Sequence, residues 1–315
     1  MLNNSTNIVV IGAGAVGSFF GGLLTKAGYP VLLIAKEPVA SALNSKGLTI
    51  KWTHADEYIA IKASANYADA AQAKLVLVCV KTPDTENLAL QIKPFLAHDA
   101  VVLSLQNGID NCERLQKNLK QSCYPAMIYA AIGKSSPTAV THFGGGNLTI
   151  GTTQTNPQDL VQAEGHLQSI QQLFEKAAIP TTISENMIAD LWTKFVINCV
   201  FNGISAIGQI NYSSMSKLPE IASLMEALLS ECLRVAHACD VPLQADKIRT
   251  DIAHISSNWP LQKSSTAQDL AKKKKTEIDH LNGLILQKAA SHKIATPYNQ
   301  SIYTLVKMLE AQLYG

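Results

Sequence analysis

The first part of the chain contains the pattern that most limits how the chain can fold. An apolar, β-branched run, Ile8 to Ile11, leads directly into the stretch Gly12 to Gly17, which matches G-x-G-x-x-G. Residues 18–26 follow with a helical pattern closed by Gly28, and a second apolar run occupies 31–35. A strand, a glycine turn, a helix and a strand in this order predict the first βαβ unit of a parallel sheet.

Each glycine of this turn has a physical role if the turn binds a dinucleotide. Gly12 allows the tight turn, Gly14 allows the backbone to approach a pyrophosphate, and Gly17 allows helix and strand to pack closely. The phosphates would bind free backbone N–H groups at the positive end of the helix. The predicted cofactor-binding residues are therefore Gly12, Ala13, Gly14, Ala15, Val16 and Gly17. An ordinary structural glycine turn is the alternative, and the surrounding strand-helix-strand order favours the dinucleotide site.

The residues after the second predicted strand bear on which dinucleotide is bound. In NAD sites a carboxylate near this position accepts hydrogen bonds from the ribose, whereas Lys36 would attract the 2′-phosphate of NADP. A shift of one residue would instead place the carboxylate of Glu37 there, and a solvated Lys-Glu pair is a further alternative. The pattern favours NADP.

Composition and charge exclude several classes of protein. The 315 residues are 47% hydrophobic and 16% charged with a net charge of +2, too nearly neutral to indicate binding to nucleic acid or an anionic membrane. We expect neither a signal peptide nor a transmembrane segment. The six cysteines show no C-x-x-C pair and no metal-ligand spacing, so we expect a reduced, cytoplasmic protein without a metal site.

The remaining pattern predicts two domains. Up to residue 182, helical patterns alternate with apolar runs at 47–52, 58–61, 75–80, 101–105, 124–132, 139–143 and 148–150, and Gly144 to Gly146 form a turn between the last two. After this point, helices are expected at 185–206, 217–239, 243–256, 264–292 and 299–313. The predicted fold class is α/β, with an N-terminal Rossmann-type doubly wound domain (1–182) followed by an all-helical C-terminal domain (183–315).

Two polar residues stand at the carboxyl ends of predicted strands, which is where ligands bind in open α/β sheets. Lys81 follows the run at 75–80, and Asn107 follows the run at 101–105. Each could equally be an ordinary cap or turn residue, since Asn-Gly is a common turn pair.

The helical half contains a more specific pattern of polar residues. Lys194, Asn198 and Asn202 recur at four-residue intervals and so lie along one face of a predicted helix. The residues between them are mostly apolar, and amides on a largely buried helix are costly unless a partner satisfies them. An inward-facing lysine should have a lowered pKa, which suits a proton donor to a developing alkoxide. A polar stripe facing solvent is the alternative.

Ser265 and Glu277 form a second group that could reach the same site from a neighbouring helix. Lys272 to Lys275, which lie between them, are expected to form a solvated helix face. The histidines show no metal-ligand spacing, and no Ser/His/Asp or Cys/His arrangement is present.

In combination, these motifs resemble the ketopantoate reductase (2-dehydropantoate 2-reductase) family. The resemblance covers essentially the whole chain, and its most specific parts are Leu-Trp-x-Lys-x-x-x-Asn-x-x-x-Asn at 191–202 and Thr-Glu-Ile-Asp-x-Leu-Asn-Gly at 276–283. It implies NADPH-dependent reduction of 2-dehydropantoate to pantoate, the step that feeds pantothenate and coenzyme A synthesis. It also implies a cleft between the two domains in which the hydride is transferred.

The resemblance further implies a role for each candidate residue. Lys194 would act as general acid and protonate the carbonyl oxygen as the hydride arrives. Four residues would bind the substrate: Asn107, Asn198, Asn202 and Ser265. Four would join the glycine turn and Lys36 in binding the cofactor: Lys81, Asn107, Ala131 and Glu277. Lys36 stands where the family commonly has an arginine, and an ammonium group lacks the bidentate fork of a guanidinium.

Two alternatives to this function stay open at the level of sequence. The family also contains reductases of other branched 2-oxo acids, and an NADP-binding regulatory protein without turnover is a different class. The intact set Lys194, Asn198, Asn202, Ser265 and Glu277 argues against the second, because a sensor needs no proton donor. The expected partner is a small 2-oxo acid, and the apolar helices of the second half are compatible with a homodimer.

Overall fold

The β-branched run at 8–11 forms the strand β1, which lies inside a large sheet and is buried on both faces. The structure is a computed structural model that describes residues 2–3 and 5–314. Met1, Asn4 and Gly315, which belong to the predicted domain ranges, lie outside the described residues. The chain divides into two units, Met1–Met187 and Ile188–Gly315.

The first unit combines a sheet with helices. Its elements are β1 (Ile8–Ile11), α1 (Ala15–Lys26), β2 (Val31–Ile34), α2 (Glu37–Lys46), β3 (Leu48–Lys51), β4 (Asp56–Ile59), β5 (Lys62–Ser64), β6 (Leu75–Val78), α3 (Thr85–Ile92), β7 (Val101–Ser104), α4 (Asn111–Gln116), β8 (Cys123–Ser136), β9 (Ala139–Ile150), α5 (Pro157–Lys176) and β10 (Thr181–Ile183).

The strand order is β4-β3-β9-β8-β7-β6-β1-β2-β5, and β10 pairs with β9. The strands from β8 to β5 along this order are parallel, while β8 and β9 are antiparallel to each other, as are β3 and β4. Successive side chains of a strand point to opposite faces. Ile8 and Val10 therefore pack with Phe20 in one core, while Val9 and Ile11 pack in a second core on the other face.

The second unit is all-helical. Its elements are α6 (Met187–Gly208), which begins at the last residue of the first unit, α7 (Tyr212–Ser216), α8 (Pro219–Ala238), α9 (Ala245–Asn258), α10 (Ser265–Ala271), α11 (Asn282–Ser291) and α12 (Pro297–Tyr314). A Rossmann-type α/β unit followed by a helical unit is the predicted fold class, which is confirmed. None of the helices among residues 2–3 and 5–314 is long and apolar enough to cross a lipid bilayer.

The prediction of a turn at Gly144 to Gly146 was wrong. These residues lie inside β9, which runs without a break opposite β8, and the connection between the two strands is at Pro137 and Thr138. Gly144, Gly145 and Gly146 have φ angles of +147°, +74° and +132°, and the pairing register shifts beside them. An added Cβ at Gly145 would overlap the carbonyl oxygen of Tyr129 on β8. The glycines therefore form an irregularity in a strand and not a chain reversal.

The prediction of one helix over 264–292 was also wrong. α10 ends at Ala271, Lys273 has a φ of +51°, and the N–H of Lys274 donates to the carbonyl of Asp269, as in a helix C-cap. Thr276 then donates from both its backbone N–H and its hydroxyl to Oε1 of Glu310 on α12, at 2.8 and 2.7 Å. The lysines at 272–275 are exposed as expected, but they lie at the end of α10 and in a connection, not on a helix face.

Candidate active site

The glycine turn lies at the carboxyl end of β1 and leads directly into α1. Gly12 has a φ of +102°, and an added Cβ would come within 2.8 Å of the backbone of Cys79 and Val80, just past β6. An added Cβ at Gly17 would overlap the carbonyl oxygen of Gly12. Only glycine at both positions lets α1 begin this close to the sheet.

The start of α1 has the features of an anion-binding site. Gly14 is the N-cap of α1 and is exposed, and an added Cβ there would meet nothing within 4 Å. The first N–H groups of a helix have no partner within the helix, and the helix dipole places partial positive charge there. The first turn of α1, which contains Ala15 and Val16, has no acidic residue. The open space and the free donors fit a dinucleotide pyrophosphate.

Lys36 lies just beyond β2 and forms the N-cap of α2, where it is exposed. Glu37 is the first residue of α2, and its Oε1 accepts a hydrogen bond of 2.7 Å from the hydroxyl of Ser41 one turn later. The carboxylate of Glu37 is therefore engaged along its own helix, whereas Lys36 is the exposed N-cap residue of that helix.

Lys81 and Asn107 follow the adjacent strands β6 and β7, and both are exposed at the carboxyl edge of the sheet. Their two loops are joined by side chains that the sequence did not single out. The carbonyl of Asn107 accepts from the hydroxyl of Thr82 at 2.8 Å and from Nδ2 of Asn111 at 2.6 Å. The carbonyl of Thr82 accepts from Nη1 of Arg114 at 3.1 Å. These bonds fix the backbone from which Lys81 and Asn107 project.

A lysine of β8 reaches the glycine turn. Ala131 lies half-buried in the irregular part of β8, and Lys134 follows it on the same strand. Nζ of Lys134 donates to the carbonyl of Ala13 and, at 3.3 Å, to the hydroxyl of Ser18 on α1. The only sequence signal for this contact is the nearness of Lys134 to Ala131 along the chain.

In the second unit, α6 carries the predicted polar face. Lys194 and Asn198 are half-buried and Asn202 is buried, whereas Phe195, Cys199 and Phe201 beside them belong to the core. The carbonyl of Asn202 accepts from the hydroxyl of Ser264, which caps α10 by accepting from the N–H of Ala267. Ser264 thereby brings α10 against α6, and the exposed Ser265 is the first residue of α10.

The environment of Lys194 changes its acidity. Burial lowers the pKa of Lys194 to about 8, and the negative charge of Glu277 partly opposes this shift. The structure thus brings Lys194 and Glu277, which are far apart in sequence, into electrostatic contact. A lysine with this pKa is still mostly protonated at neutral pH and yet releases its proton more readily than an exposed lysine.

Behind the polar face lies a buried network of polar side chains. Glu231 on α8, only 2% exposed, accepts three hydrogen bonds at the start of α12: from the N–H of Tyr298 (3.0 Å), the N–H of Asn299 (2.9 Å) and Nδ2 of Asn299 (2.8 Å). The carboxylate therefore satisfies N–H groups that a helix start leaves without partners. The sequence of α8 contains three acids, Glu220, Glu226 and Glu231, and nothing in the sequence distinguishes Glu231 for this role.

The same network continues to α6. Nδ2 of Asn282 donates to Oδ1 of Asn299 at 2.9 Å and to the carbonyl of Cys199 at 3.0 Å. Cys199 lies on α6 between Asn198 and Asn202. The network therefore links α6 to α8, α11 and α12 through buried side-chain hydrogen bonds. Asn282 belongs to the Leu-Asn-Gly motif noted in the sequence, but its contacts could not be read from the motif.

No group of three or more His, Cys, Asp or Glu residues within residues 2–3 and 5–314 is arranged to hold a metal ion.

Comparison with known proteins places the chain in a family. The family model "Ketopantoate reductase PanE/ApbA" matches residues 8–155, and its C-terminal counterpart matches residues 186–310. The chain belongs to the ketopantoate reductase family. The resemblance seen in its motifs is thereby confirmed.

Individual relatives extend over nearly the whole chain. The 2-dehydropantoate 2-reductase of Pyrococcus abyssi is 30% identical and covers 96% of this chain and 98% of its own. The crystal structure of a PanE/ApbA family ketopantoate reductase from Ralstonia eutropha is 36% identical, with a TM-score of 0.90 over 98% of this chain and 100% of that one. A D-mandelate dehydrogenase with NADH and anilino(oxo)acetate shares the fold at 24% identity, with a TM-score of 0.89 over 98% of this chain and 100% of its own.

The buried network predicts a large loss of stability when Glu231 is removed. Glu231→Ala leaves three donors at the start of α12, two of them buried, without an acceptor, so we expect the free energy of unfolding to fall by about 2–4 kcal/mol. The measurement is urea unfolding of the full chain. Glu226→Gln is the matched control, because Glu226 lies on the same helix in an exposed ion pair with Arg249 and should cost less than about 1 kcal/mol. Equal losses for the two variants would contradict the role given to Glu231.

Proposed function

We propose that this protein is a 2-dehydropantoate 2-reductase that uses NADPH to reduce 2-dehydropantoate to pantoate, the step that feeds pantothenate and coenzyme A synthesis in the cytoplasm. The observation that carries the proposal is the half-buried Lys194, with its pKa lowered to about 8, on the same helix face as Asn198 and Asn202. Relatives that bear this name match the chain over almost its entire length, which supports the same conclusion.

The chain's own side chains act on the 2-oxo acid. A nicotinamide cofactor held by the glycine turn would supply the hydride for the ketone carbon. Nζ of Lys194 donates a proton to the ketone oxygen, so that the carbonyl becomes a hydroxyl group. The amides of Asn107, Asn198 and Asn202 and the hydroxyl of Ser265 bind the carboxylate and hydroxyl groups of the substrate. General acid catalysis is most effective when the pKa of the acid lies near the working pH, and the pKa of Lys194 meets that condition.

The cofactor is assigned to the first unit. Gly12 to Gly17 offer free N–H groups and open space to the pyrophosphate, and Lys36 offers a cation at the N-terminus of α2 to the 2′-phosphate of NADP. Three more residues complete the proposed cofactor site: Lys81, Ala131 and Glu277. In this scheme residues 1–182 supply the NADP site except for Glu277, and residues 183–315 supply the acid and the substrate site except for Asn107.

The proposed reaction is tested by following NADPH absorbance with 2-dehydropantoate and, in parallel, 3-methyl-2-oxobutanoate and phenylglyoxylate. We expect kcat/KM to be highest for 2-dehydropantoate, and we expect Lys194→Ala to reduce turnover roughly 10²- to 10⁴-fold while NADPH binding, measured by fluorescence, is retained. A higher kcat/KM for another acid would assign the protein to a reductase of that acid. Binding of NADPH without turnover of any of the three would contradict the proposed reaction.

The choice of NADP is tested separately at Lys36. Lys36→Ala removes the cation proposed to bind the 2′-phosphate, so we expect the Kd of NADPH to rise about tenfold while the Kd of NADH stays the same. Glu37→Gln is the matched control, since the carboxylate of Glu37 is engaged with Ser41, and its NADPH/NADH ratio should remain within about twofold of the wild type. A wild-type preference for NADH, or an equal effect of Lys36→Ala on both cofactors, would contradict the assignment.

A further inference from the structure

The loop that follows β7 is anchored by side chains from two other segments. The carbonyl oxygen of Asn107 accepts hydrogen bonds from Nδ2 of Asn111, the first residue of α4, and from the hydroxyl of Thr82, which follows β6. Asn111 and Thr82 are only 4% and 1% exposed, whereas Asn107 is exposed. Buried groups therefore hold the backbone of an exposed residue.

A chain of buried groups determines which way the amide of Asn111 points. The hydroxyl of Thr85 shares its single hydrogen between Oδ1 of Asn111 (3.1 Å) and the carbonyl of Thr82 (2.8 Å). The same hydroxyl oxygen accepts a hydrogen bond of 2.7 Å from Nε2 of Gln106. Oε1 of Gln106 in turn accepts from the hydroxyl of Ser104 at 3.0 Å. The donors and acceptors of the chain are thus matched in one direction.

The reversed orientation of the Asn111 amide does not fit this chain. It would place Oδ1 against the carbonyl oxygen of Asn107, and two acceptors form no hydrogen bond. It would also leave buried polar groups without partners, which costs more than a hydrogen bond contributes. Aspartate at position 111 would have the same shape but no donor for the carbonyl of Asn107. The contact therefore requires an amide at this position.

The backbone on both sides of Asn107 agrees with this contact. Gly108 has a φ of +108°, which favours glycine, and an added Cβ there would come within 3.2 Å of Nδ2 of Asn111. Before the loop, the N–H of Leu105 donates to the carbonyl of Val78 at 2.9 Å, which continues the pairing of β6 and β7. These anchors limit the backbone conformations from which the side chain of Asn107 can project.

We propose that Asn111 is a positioning residue: by holding the carbonyl of Asn107, it determines where the amide of Asn107 meets the substrate and the cofactor. This inference rests on the proposed function, in which Asn107 contacts both ligands. Asn111 is buried and acts only through Asn107. A binding group that is misplaced by about 1 Å can lower the rate about a hundredfold, so the role has a kinetic signature and not only an effect on stability.

The test is a double-mutant cycle on the full chain. kcat/KM for 2-dehydropantoate and the Kd of NADPH are measured for the wild type, Asn107→Ala, Asn111→Ala, the double variant and Asn111→Asp. Gln121→Leu is the matched control, because Gln121 is another buried amide of the first unit whose Nε2 donates to backbone carbonyls, those of Leu96 and Ala97. Thermal unfolding midpoints without ligand report the stability of each variant.

We expect Asn111→Ala to lower kcat/KM about tenfold to a hundredfold and to raise the Kd of NADPH, neither by more than Asn107→Ala does. Asn111→Asp, which lacks the donor, should lower kcat/KM at least as much. In the Asn107→Ala background, Asn111→Ala should change either quantity by less than about twofold, because the group that it positions is already absent. Gln121→Leu should lower the unfolding midpoint but leave kcat/KM within about twofold of the wild type.

Three results would overturn the inference: folded Asn111→Ala and Asn111→Asp variants with unchanged kcat/KM and Kd, losses that multiply in the double variant, or an equal loss of kcat/KM in Gln121→Leu. If Asn111→Ala does not fold, Asn111→Ser takes its place in the cycle. If the wild type binds NADPH but does not reduce 2-dehydropantoate, the proposed reaction fails and the Kd values alone decide the inference. If it binds no NADPH, both fail.

Discussion

The close approach of α1 to the sheet is the constraint on which the first unit depends. Gly12 and Gly17 allow it, because a side chain at either position would meet backbone atoms of the turn or of the residues after β6. The approach places the N-terminus of α1 at the carboxyl edge of the parallel strands. The same edge carries Lys81 and Asn107, held by Thr82 and Asn111. The close packing of α1 on the sheet therefore places the positive end of its helix dipole at the same edge as the polar residues that follow the strands.

The second unit has a different structural requirement: polar side chains must be accommodated on α6, a helix that is largely buried. α6 is fixed from behind by a chain of hydrogen bonds from Glu231 through Asn299 and Asn282 to the carbonyl of Cys199. With the helix held, its polar face keeps Lys194 in surroundings that lower its pKa, while Glu277 limits that shift.

Local sequence was sufficient to predict those strands and helix faces that depend only on neighbouring residues. Apolar β-branched runs predicted β1, β2, β6 and β7, and the four-residue spacing of Lys194, Asn198 and Asn202 predicted the polar face of α6. Where distant residues decide the structure, prediction failed. Thr276 leaves the helical pattern because Glu310 accepts two of its hydrogen bonds, and Gly145 lies in a strand because Tyr129 approaches it from β8.

Some parts of the candidate site could likewise be predicted from local sequence, and other parts could not. Its glycine turn and the spacing on α6 are visible in the sequence, because each is formed by one continuous segment. Lys134 and Ala13 are separated by 121 residues, and Glu231 and Asn299 by 68, so their contacts exist only once the fold has formed. Such residues are ordinary lysines and carboxylates in the sequence, and the structure alone shows what they bind.

The acidity of Lys194 can be measured through the pH dependence of kcat/KM for 2-dehydropantoate at saturating NADPH. Reduction needs protonated Lys194, so kcat/KM should be constant below pH about 8 and fall about tenfold per pH unit above it. Glu277→Gln removes the charge that raises the pKa, so the break should move to lower pH, whereas Glu220→Gln, an exposed carboxylate on α8, should not move it. A wild-type profile without this break, or a Glu277→Gln break at the same or higher pH, would contradict the account.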